Sequence, residues 1–283
     1  MPLSASTRVA GVIGDPVHHS LSPAIHNAAF AACGLDLVYV AFPVPRGRGG
    51  AAVAAARDLG LVGLNVTMPH KAEAAAACDE LTPDAAILGA VNTVVARTGG
   101  RMLGDSTDGP GFLAALAEEG IEVHGRRVLV LGAGGAARAV VLALGRDGAQ
   151  VVVAARRAEA AEAAAALAPG GRAIGLSGPG PEVVEAGAAD LVVNATPLGM
   201  SSVDPPPVDP SALRGRGQAV VDLVYHPPET ALLAAARARG AQVANGLGML
   251  VHQAALSFTL WTGVEAPLAA MRDAAEAALA GPG

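Results

Sequence analysis

The sequence predicts an α/β protein with largely parallel strands, built as two sheets rather than one. Three observations predict it. Short β-branched runs alternate with Ala-rich, helix-forming stretches almost throughout the 283 residues, a pattern that calls for parallel pairing and right-handed crossovers. The apolar runs number nine, many for one compact doubly wound sheet. A fresh strand–glycine–helix unit also begins in mid-chain, at Arg127.

In chain order, the first strand is RVAGVIG at 8–14. A helix follows over 22–33, where Ser22-Pro23 offers a cap and then proline at the first helical position. Strand 37–44, helix 49–59 and strands 63–67 and 91–97 complete this part. The main boundary falls in the helix after DGPG, near 108–120, with 112–119 its clearest helical stretch. Strand 127–132, helix 136–146, strand 150–155 and the alanine-rich surface helix 158–167 come next. Strands 190–195, 218–224 and 241–245 surround helix 229–239, and Gly/Pro-rich 169–181 and 203–210 read as loops. Beyond Asn245-Gly246 the chain is helical at 248–260 and 266–280. The expected domains are an α/β lobe over 1–110, a second over 111–246, and C-terminal helices over 247–283. Those helices are too short to stand alone and so pack back on the first lobe.

Composition excludes several classes of function. Hydrophobic residues make up 52% of the chain and mean hydropathy is +0.44, yet alanine causes much of this. Charges, Gly and Pro interrupt every apolar segment before the roughly 20 residues that a membrane helix needs. The start, MPLSASTRVAGVIG, lacks the basic head, apolar core and cleavage site of a secretory signal. A cytoplasmic protein is the expectation. A net charge of −6 and 2% aromatic residues offer neither a basic stripe nor stacking platforms for nucleic acid. Cys33 and Cys78 are far apart, and no His cluster stands at zinc spacing. Both read as ordinary buried thiols, and no metal is implied.

Residues 128–137, VLVLGAGGAA, run from an apolar strand through clustered glycines into a helix. Gly132 permits the tight turn, and Gly134 lets a pyrophosphate approach the backbone. Ala137 takes the third place, where a small residue lets helix and strand pack closely. Free N–H groups at the helix start then hold phosphates. A site preferring NAD would place Asp or Glu about 20 residues after the glycines. Here the next strand ends in Arg156-Arg157, with no acid before Glu159. Two guanidinium groups suit a 2′-phosphate, so NADP is favoured.

In the first lobe the unusual segments fall at strand ends and loops. HHSLSPAIHN carries Ser20 and Ser22; NVTMPHK carries Asn65, Thr67 and Lys71; AVNTVV carries Asn92; GDSTDGPG carries Asp108 at a helix start. The helix-start role alone would explain Ser22, which leaves Ser20 more functional weight. Hydroxyls, amides, one amine and one carboxylate suit a small polyhydroxylated substrate. With a nicotinamide cofactor, that suggests hydride transfer between an alcohol and a ketone. Such a reaction needs a group to take the hydroxyl proton. Lys71 can serve, with Asp108 beside it. A carboxylate raises a lysine pKa and desolvation lowers it, so Lys71 is either a proton carrier or a fixed cation. It is also the one lysine among 19 Lys and Arg residues. A composition that drifts lysine to arginine spares it, we reason, because the chemistry needs a compact amine.

The chain resembles the shikimate dehydrogenase family (shikimate/quinate dehydrogenases) from about Gly11 to Gly263. The resemblance lies in GDPVHHSLSPAIHN, NVTMPHK, GAVNT, DSTDGPGF, GAGGAAR, NATPLGM, DLVYHPPETALL and GLGMLVHQAALSFTLWTG. It implies reversible, NADP-dependent reduction of 3-dehydroshikimate to shikimate, a step toward chorismate and the aromatic amino acids. It implies Lys71 and Asp108 as the catalytic pair, and Ser20, Ser22, Thr67, Asn92, Tyr225 and Gln253 as substrate contacts. On the cofactor side it implies Gly132, Ala133, Gly134, Gly135, Ala136, Arg156, Arg157, Leu223 and Gly246. Asn65 supports its loop in this reading. Gln253 lies four residues after Met249, so both occupy one helix face. Three departures stand out: Ala155-Arg156-Arg157 replaces Asn-Arg-Thr, Ser106 replaces Asn before Thr-Asp-Gly, and Pro83 replaces an acid found after DELT in relatives. The first puts the degree of NADP selectivity in question, and the third carries no cofactor role across.

Three alternatives stay open from sequence: a quinate/shikimate dehydrogenase using NAD or NADP, an aminoshikimate dehydrogenase, and a non-catalytic NADPH or metabolite sensor on the same scaffold. The arginine pair disfavours strict NAD use, and Lys71, Asp108 and Gln253 argue against a mere sensor. A homodimer is also left open.

Overall fold

The computed structural model of the chain describes residues 3–176, 180–201 and 203–281, so part of the expected loop 169–181 lies outside the described residues. The chain divides into two compact units, Met1–Thr107 with Val251–Gly283, and Asp108–Leu250.

The first unit holds β1 (Arg8–Gly14), β2 (Leu37–Pro43), β3 (Gly63–Val66), β4 (Glu80–Leu81), β5 (Thr93–Ala96) and β6 (Met102–Asp105), in the order β2-β1-β3-β5-β6-β4. Parallel pairing holds for β1 with β2 and β3, and for β4 with β6, but β5 runs against both neighbours. The pairing is largely parallel, as expected, and β5 is the one exception. Its cause is local. Gly99 and Gly100 sit at φ 76° and 75°, left-handed values that only glycine adopts freely. They allow a tight turn from β5 into β6 where a parallel connection would need a helix. Neither β4 nor β6 carries a β-branched run, which is why the sequence hid them. At Gly104, in β6, a Cβ would come 2.6 Å from Val91 and 2.7 Å from Leu81, so glycine is what lets this corner close.

Helices α1 (Ser22–Ala32), α2 (Gly49–Asp58), α3 (Lys71–Ala77) and α4 (Pro83–Leu88) belong to the same unit. The core sets Ile13, Leu64, Val66, Val94 and Met102 of the sheet against Val53, Ala56, Ala74 and Ala85 of the helices. Ser22 is not the cap expected of it: Leu21 holds that position, without a side-chain bond, and α1 starts at Ser22 itself. The Ser22 N–H donates instead to the Ser20 hydroxyl at 3.3 Å.

The second unit contains α5 (Asp108–Glu118), β7 (Arg127–Leu131), α6 (Gly135–Arg146), β8 (Gln150–Ala155), α7 (Ala158–Ala165), β9 (Arg172–Gly175), α8 (Pro181–Ala188), β10 (Leu191–Asn194), β11 (Ala219–Asp222), α9 (Ala231–Ala238) and β12 (Gln242–Ala244). All six strands are parallel in the order β12-β11-β10-β7-β8-β9. The order reverses at β7 and β10, and a doubly wound sheet binds dinucleotides at that switch point. Helices cover both faces, so β7, β8, β10 and β11 read as continuous apolar runs. The chain leaves through α10 (Leu247–Thr262), and α11 (Leu268–Ala280) lies along α1. Among the described residues no helix is long and apolar enough to cross a membrane.

Candidate active site

In the first unit the loops after β1 and β3 carry the expected polar residues. Gly14 ends β1 where a Cβ would stand 2.5 Å from the Thr67 methyl, so glycine brings the two loops together. The Thr67 N–H donates to the Ile13 carbonyl at 3.0 Å, and the Thr67 carbonyl accepts from His70 N–H at 3.0 Å. That turn leads into Lys71, the first residue of α3. His70 is buried, and its Nε2 lies 2.7 Å from the Val44 carbonyl. Glu73 accepts from Gly49 N–H at 2.7 Å. The start of α3 is thus tied to the start of α2, and the half-buried Lys71 rides on a fixed turn.

Behind these loops lies a buried amide and hydroxyl network. Asn65 Oδ1 accepts from the Tyr39 hydroxyl at 2.7 Å, while its Nδ2 donates to Ser257 at 3.0 Å and to the Asn92 carbonyl and Thr93 at 3.2 Å each. Only Nδ2 can donate to a carbonyl, which fixes the orientation of the Asn65 amide. Asn92 lies just before β5. Its Oδ1 accepts from Thr107 N–H at 2.8 Å, and its Nδ2 donates to Thr107 Oγ1 at 2.9 Å and to Gln253 Oε1 at 3.3 Å. Asn92 and Gln253 are therefore brought together, and Asn92 also grips the residue preceding Asp108. On α10, Ser257 donates to the Gln253 carbonyl at 3.0 Å and lies 2.7 Å from Thr93 Oγ1.

Burial acts on the aromatic side of this network. His26 is wholly buried, stacked on Tyr39 at 4.4 Å and tilted against Trp261 at 5.1 Å. Desolvation holds its pKa down at about 3, so the ring is neutral at physiological pH. Burial also pushes the Tyr39 phenol upward, which keeps it a hydrogen-bond donor. Cys33 and Cys78 are free and only half-buried, which corrects the expectation of buried thiols.

In the second unit Gly132 has φ 109°, and a Cβ there would meet the Ala195 carbonyl oxygen at 2.9 Å. Gly134 caps α6 without any side-chain bond, and the space over its Cα is open for 4 Å. Ala133, Gly135 and Ala136 complete the loop into α6, and Ala137 is buried in the core. Arg156 and Arg157 follow β8, both exposed and neither holding a side-chain bond or ion pair among the described residues. An open glycine turn at a bare helix N-terminus, followed by two uncommitted guanidinium groups, fits a phosphorylated dinucleotide. At Gly246 a Cβ would fall on the Leu223 carbonyl oxygen, and its N–H donates to the Val224 carbonyl at 3.1 Å. Tyr225 is half-buried with its phenol pKa raised by burial, and Asp108 is buried at the start of α5.

Sequence reasoning missed Tyr39, Ser257 and a second polar knot around Asp222. Asp222 is fully buried at the end of β11. It accepts from Asn194 Nδ2 at 2.8 Å, Val224 N–H at 3.0 Å and Thr230 Oγ1 at 2.7 Å. Burial raises its pKa, against those bonds. The knot joins the ends of β10 and β11 to the cap of α9, beneath Leu223. A lone polar residue inside an apolar run was the available signal, since such a group must find a partner when buried.

A family profile described as the shikimate dehydrogenase substrate binding domain matches residues 12–94, and one described as the shikimate 5′-dehydrogenase C-terminal domain matches 246–276. The chain is 50% identical over 280 residues to a shikimate dehydrogenase (NADP(+)) of Methanopyrus kandleri, covering 96% of each chain. The chain belongs to the shikimate dehydrogenase family. It is an oxidoreductase of that family. A shikimate 5-dehydrogenase of Thermus thermophilus, solved with NADP(H) and shikimate, superposes at TM-score 0.86 with 40% identity, over 95% of this chain and 98% of that one. A quinate dehydrogenase of Corynebacterium glutamicum in complex with NAD superposes at 0.87 with 36% identity, over 95% and 98%. One shikimate dehydrogenase scaffold thus accompanies both substrates and both cofactors among these relatives.

Proposed function

We propose that this chain catalyses the reversible, NADP-dependent reduction of 3-dehydroshikimate to shikimate, a step toward chorismate and the aromatic amino acids. The observation that carries this reading is the pair of uncommitted arginines after an open glycine turn, on a chain alike over 96% of its length to an NADP-dependent shikimate dehydrogenase. The first unit supplies most of the substrate contacts and the second the cofactor contacts. Ser20, Ser22, Thr67, Asn92, Gln253 and Tyr225 supply the hydroxyls and amides that recognise a small polyol acid. Gly132 to Ala136 would hold the pyrophosphate, Arg156 and Arg157 the 2′-phosphate, and Leu223 with Gly246 the nicotinamide part of the cofactor. The bound nicotinamide supplies or accepts the hydride.

Lys71 and Asp108 then handle the proton at the oxygen that changes oxidation state. An ammonium at Lys71 donates a proton to the forming hydroxyl in reduction, and its amine takes one back in oxidation. The Tyr39–Asn65–Ser257 network keeps Asn92 and Gln253 in register, so substrate meets side chains already oriented. Free thiols fit a reducing compartment, which supports a cytoplasmic reading. Neither nucleic acid nor a membrane is a partner in this reading, and light scattering tests for a homodimer.

Nicotinamide absorbance on mixing purified protein with shikimate and NADP tests the proposal, with quinate and NAD in parallel. Reduction of NADP by shikimate alone is expected. Turnover with quinate or NAD at comparable rates moves the chain to the quinate/shikimate branch, and an aminoshikimate arm tests that substituent. NADPH binding without any turnover returns the sensor reading.

A further inference from the structure

We propose that the first unit carries a second ligand site, for phosphate or a phosphoryl group, at the end of its sheet opposite Lys71. A cavity of about 240 Å³ lies where the parallel strands begin. Arg8 at the start of β1, Arg57 in the last turn of α2 and Arg97 just after β5 line it, with Met102 and Trp261 among the apolar walls. The polar loops described above leave the other ends of β1 and β3, so this cavity is a separate place.

The charges around it are not balanced. Arg57 pairs with Asp79 at 2.7 Å. Arg8 and Arg97 make no side-chain hydrogen bond or ion pair among the described residues. Two positive charges are therefore left over on one small cavity, in a chain whose net charge is −6. Arg57 adds an independent sign: its Nε is buried and has no hydrogen-bond partner, a donor left for an acceptor that the protein does not supply. One planar carboxylate is satisfied by a single guanidinium fork, whereas guanidinium groups from three separate elements suit a tetrahedral oxyanion with oxygens on several sides. A phosphate group carries about −1.5 to −2 near pH 7, which matches the surplus.

The site also has a route to the rest of the unit. The indole Nε1 of Trp261 donates to the Val94 carbonyl at 3.0 Å, and the ring packs on Gly63, where no Cβ would fit. Trp261 stands one helical turn beyond Ser257 and two beyond Gln253 on α10. A ligand that shifts the indole therefore acts on the helix that holds Gln253.

Trp261 is the chain's single tryptophan, so its emission reads the site without a label. The full-length protein is titrated with sodium phosphate at pH 8, with ionic strength held constant by sodium chloride. Calorimetry on the same solutions reads binding if the indole is silent. Saturable binding is expected in the wild type, weakened at least tenfold in Arg8→Gln/Arg97→Gln and kept within a few-fold in Arg8→Lys/Arg97→Lys. The Trp261 emission change should be kept in Arg156→Gln/Arg157→Gln, which removes only the heat of any phosphate bound at the 2′-phosphate site. Glycerol 3-phosphate in a second titration separates the sources: tighter binding than phosphate assigns the site to a phosphorylated metabolite, weaker saturable binding to the free ion. Binding that is absent, follows ionic strength alone, is equal in wild type and Arg8→Gln/Arg97→Gln, or is lost in Arg156→Gln/Arg157→Gln overturns the proposal.

Discussion

Lys71 is where residue chemistry decides most. Arginine keeps the charge but holds its proton far too tightly to exchange it, so Lys71→Arg separates a proton carrier from a fixed cation. We expect kcat to fall about 100- to 10,000-fold, the range of a lost general acid–base group, with circular dichroism unchanged. Activity near wild type would assign Lys71 a purely electrostatic role. His26 makes a different prediction at this scale. Its folded pKa of about 3 lies below the ordinary 6.5, so the unfolded chain binds the extra proton between those values. The stability it supports is present above pH 6.5 and is lost as pH falls toward 3, at up to about 1.4 kcal/mol per pH unit. Urea unfolding at pH 7 and pH 5 should show a shallower loss in His26→Leu than in wild type. The same slope in both proteins would show that the ring protonates readily in the fold. In the sequence Lys71 was legible because it is unique. Tyr39 was not, because a tyrosine in LVYVAFPV looks like any apolar strand residue until its hydroxyl is seen on Asn65.

Among the elements, the glycine turn of β7 and α6 and the strand ends of β10 and β11 form the cofactor floor that we propose. Gly132 and Gly134 were readable from spacing because their reason is local: one needs φ 109° and the other needs open space. Gly246 was reached only through family resemblance, since its reason is a neighbour 23 residues earlier, the Leu223 carbonyl. Gly246→Ala places a methyl on that oxygen and must push β11 and α10 apart. A loss of NADP affinity of tenfold or more is expected, with a lowered melting temperature, and fluorescence titration against thermal unfolding measures both. Unchanged NADP affinity would remove Gly246 from the cofactor site. Ser22 shows the reverse error. A serine before proline is a sound helix signal, but Ser20 took the N–H bond and left the Ser22 hydroxyl to other work.

For the whole molecule, the assignment of cofactor to one unit and substrate to the other predicts separable protection. NADP at about 100 times its dissociation constant adds roughly 2.7 kcal/mol of stability to what binds it. Amide hydrogen exchange should slow first around 130–137, 155–158 and 223–224 with NADP, and around 20–22, 65–71 and 92–93 with shikimate. Protection in the opposite units would reverse the assignment. The sequence by itself determined the α/β class, the fingerprint turn, the arginine pair and Lys71, because each follows from periodicity, backbone geometry or charge within a few residues. Only the tertiary structure decided that β5 runs antiparallel, that Asn65 and Asn92 are held by α10 from nearly the other end of the chain, and that Arg8, Arg57 and Arg97 share a cavity. Those depend on which distant segments pack together, and burial, which sets both the partners of a polar group and the pKa of His26, exists only once they have packed.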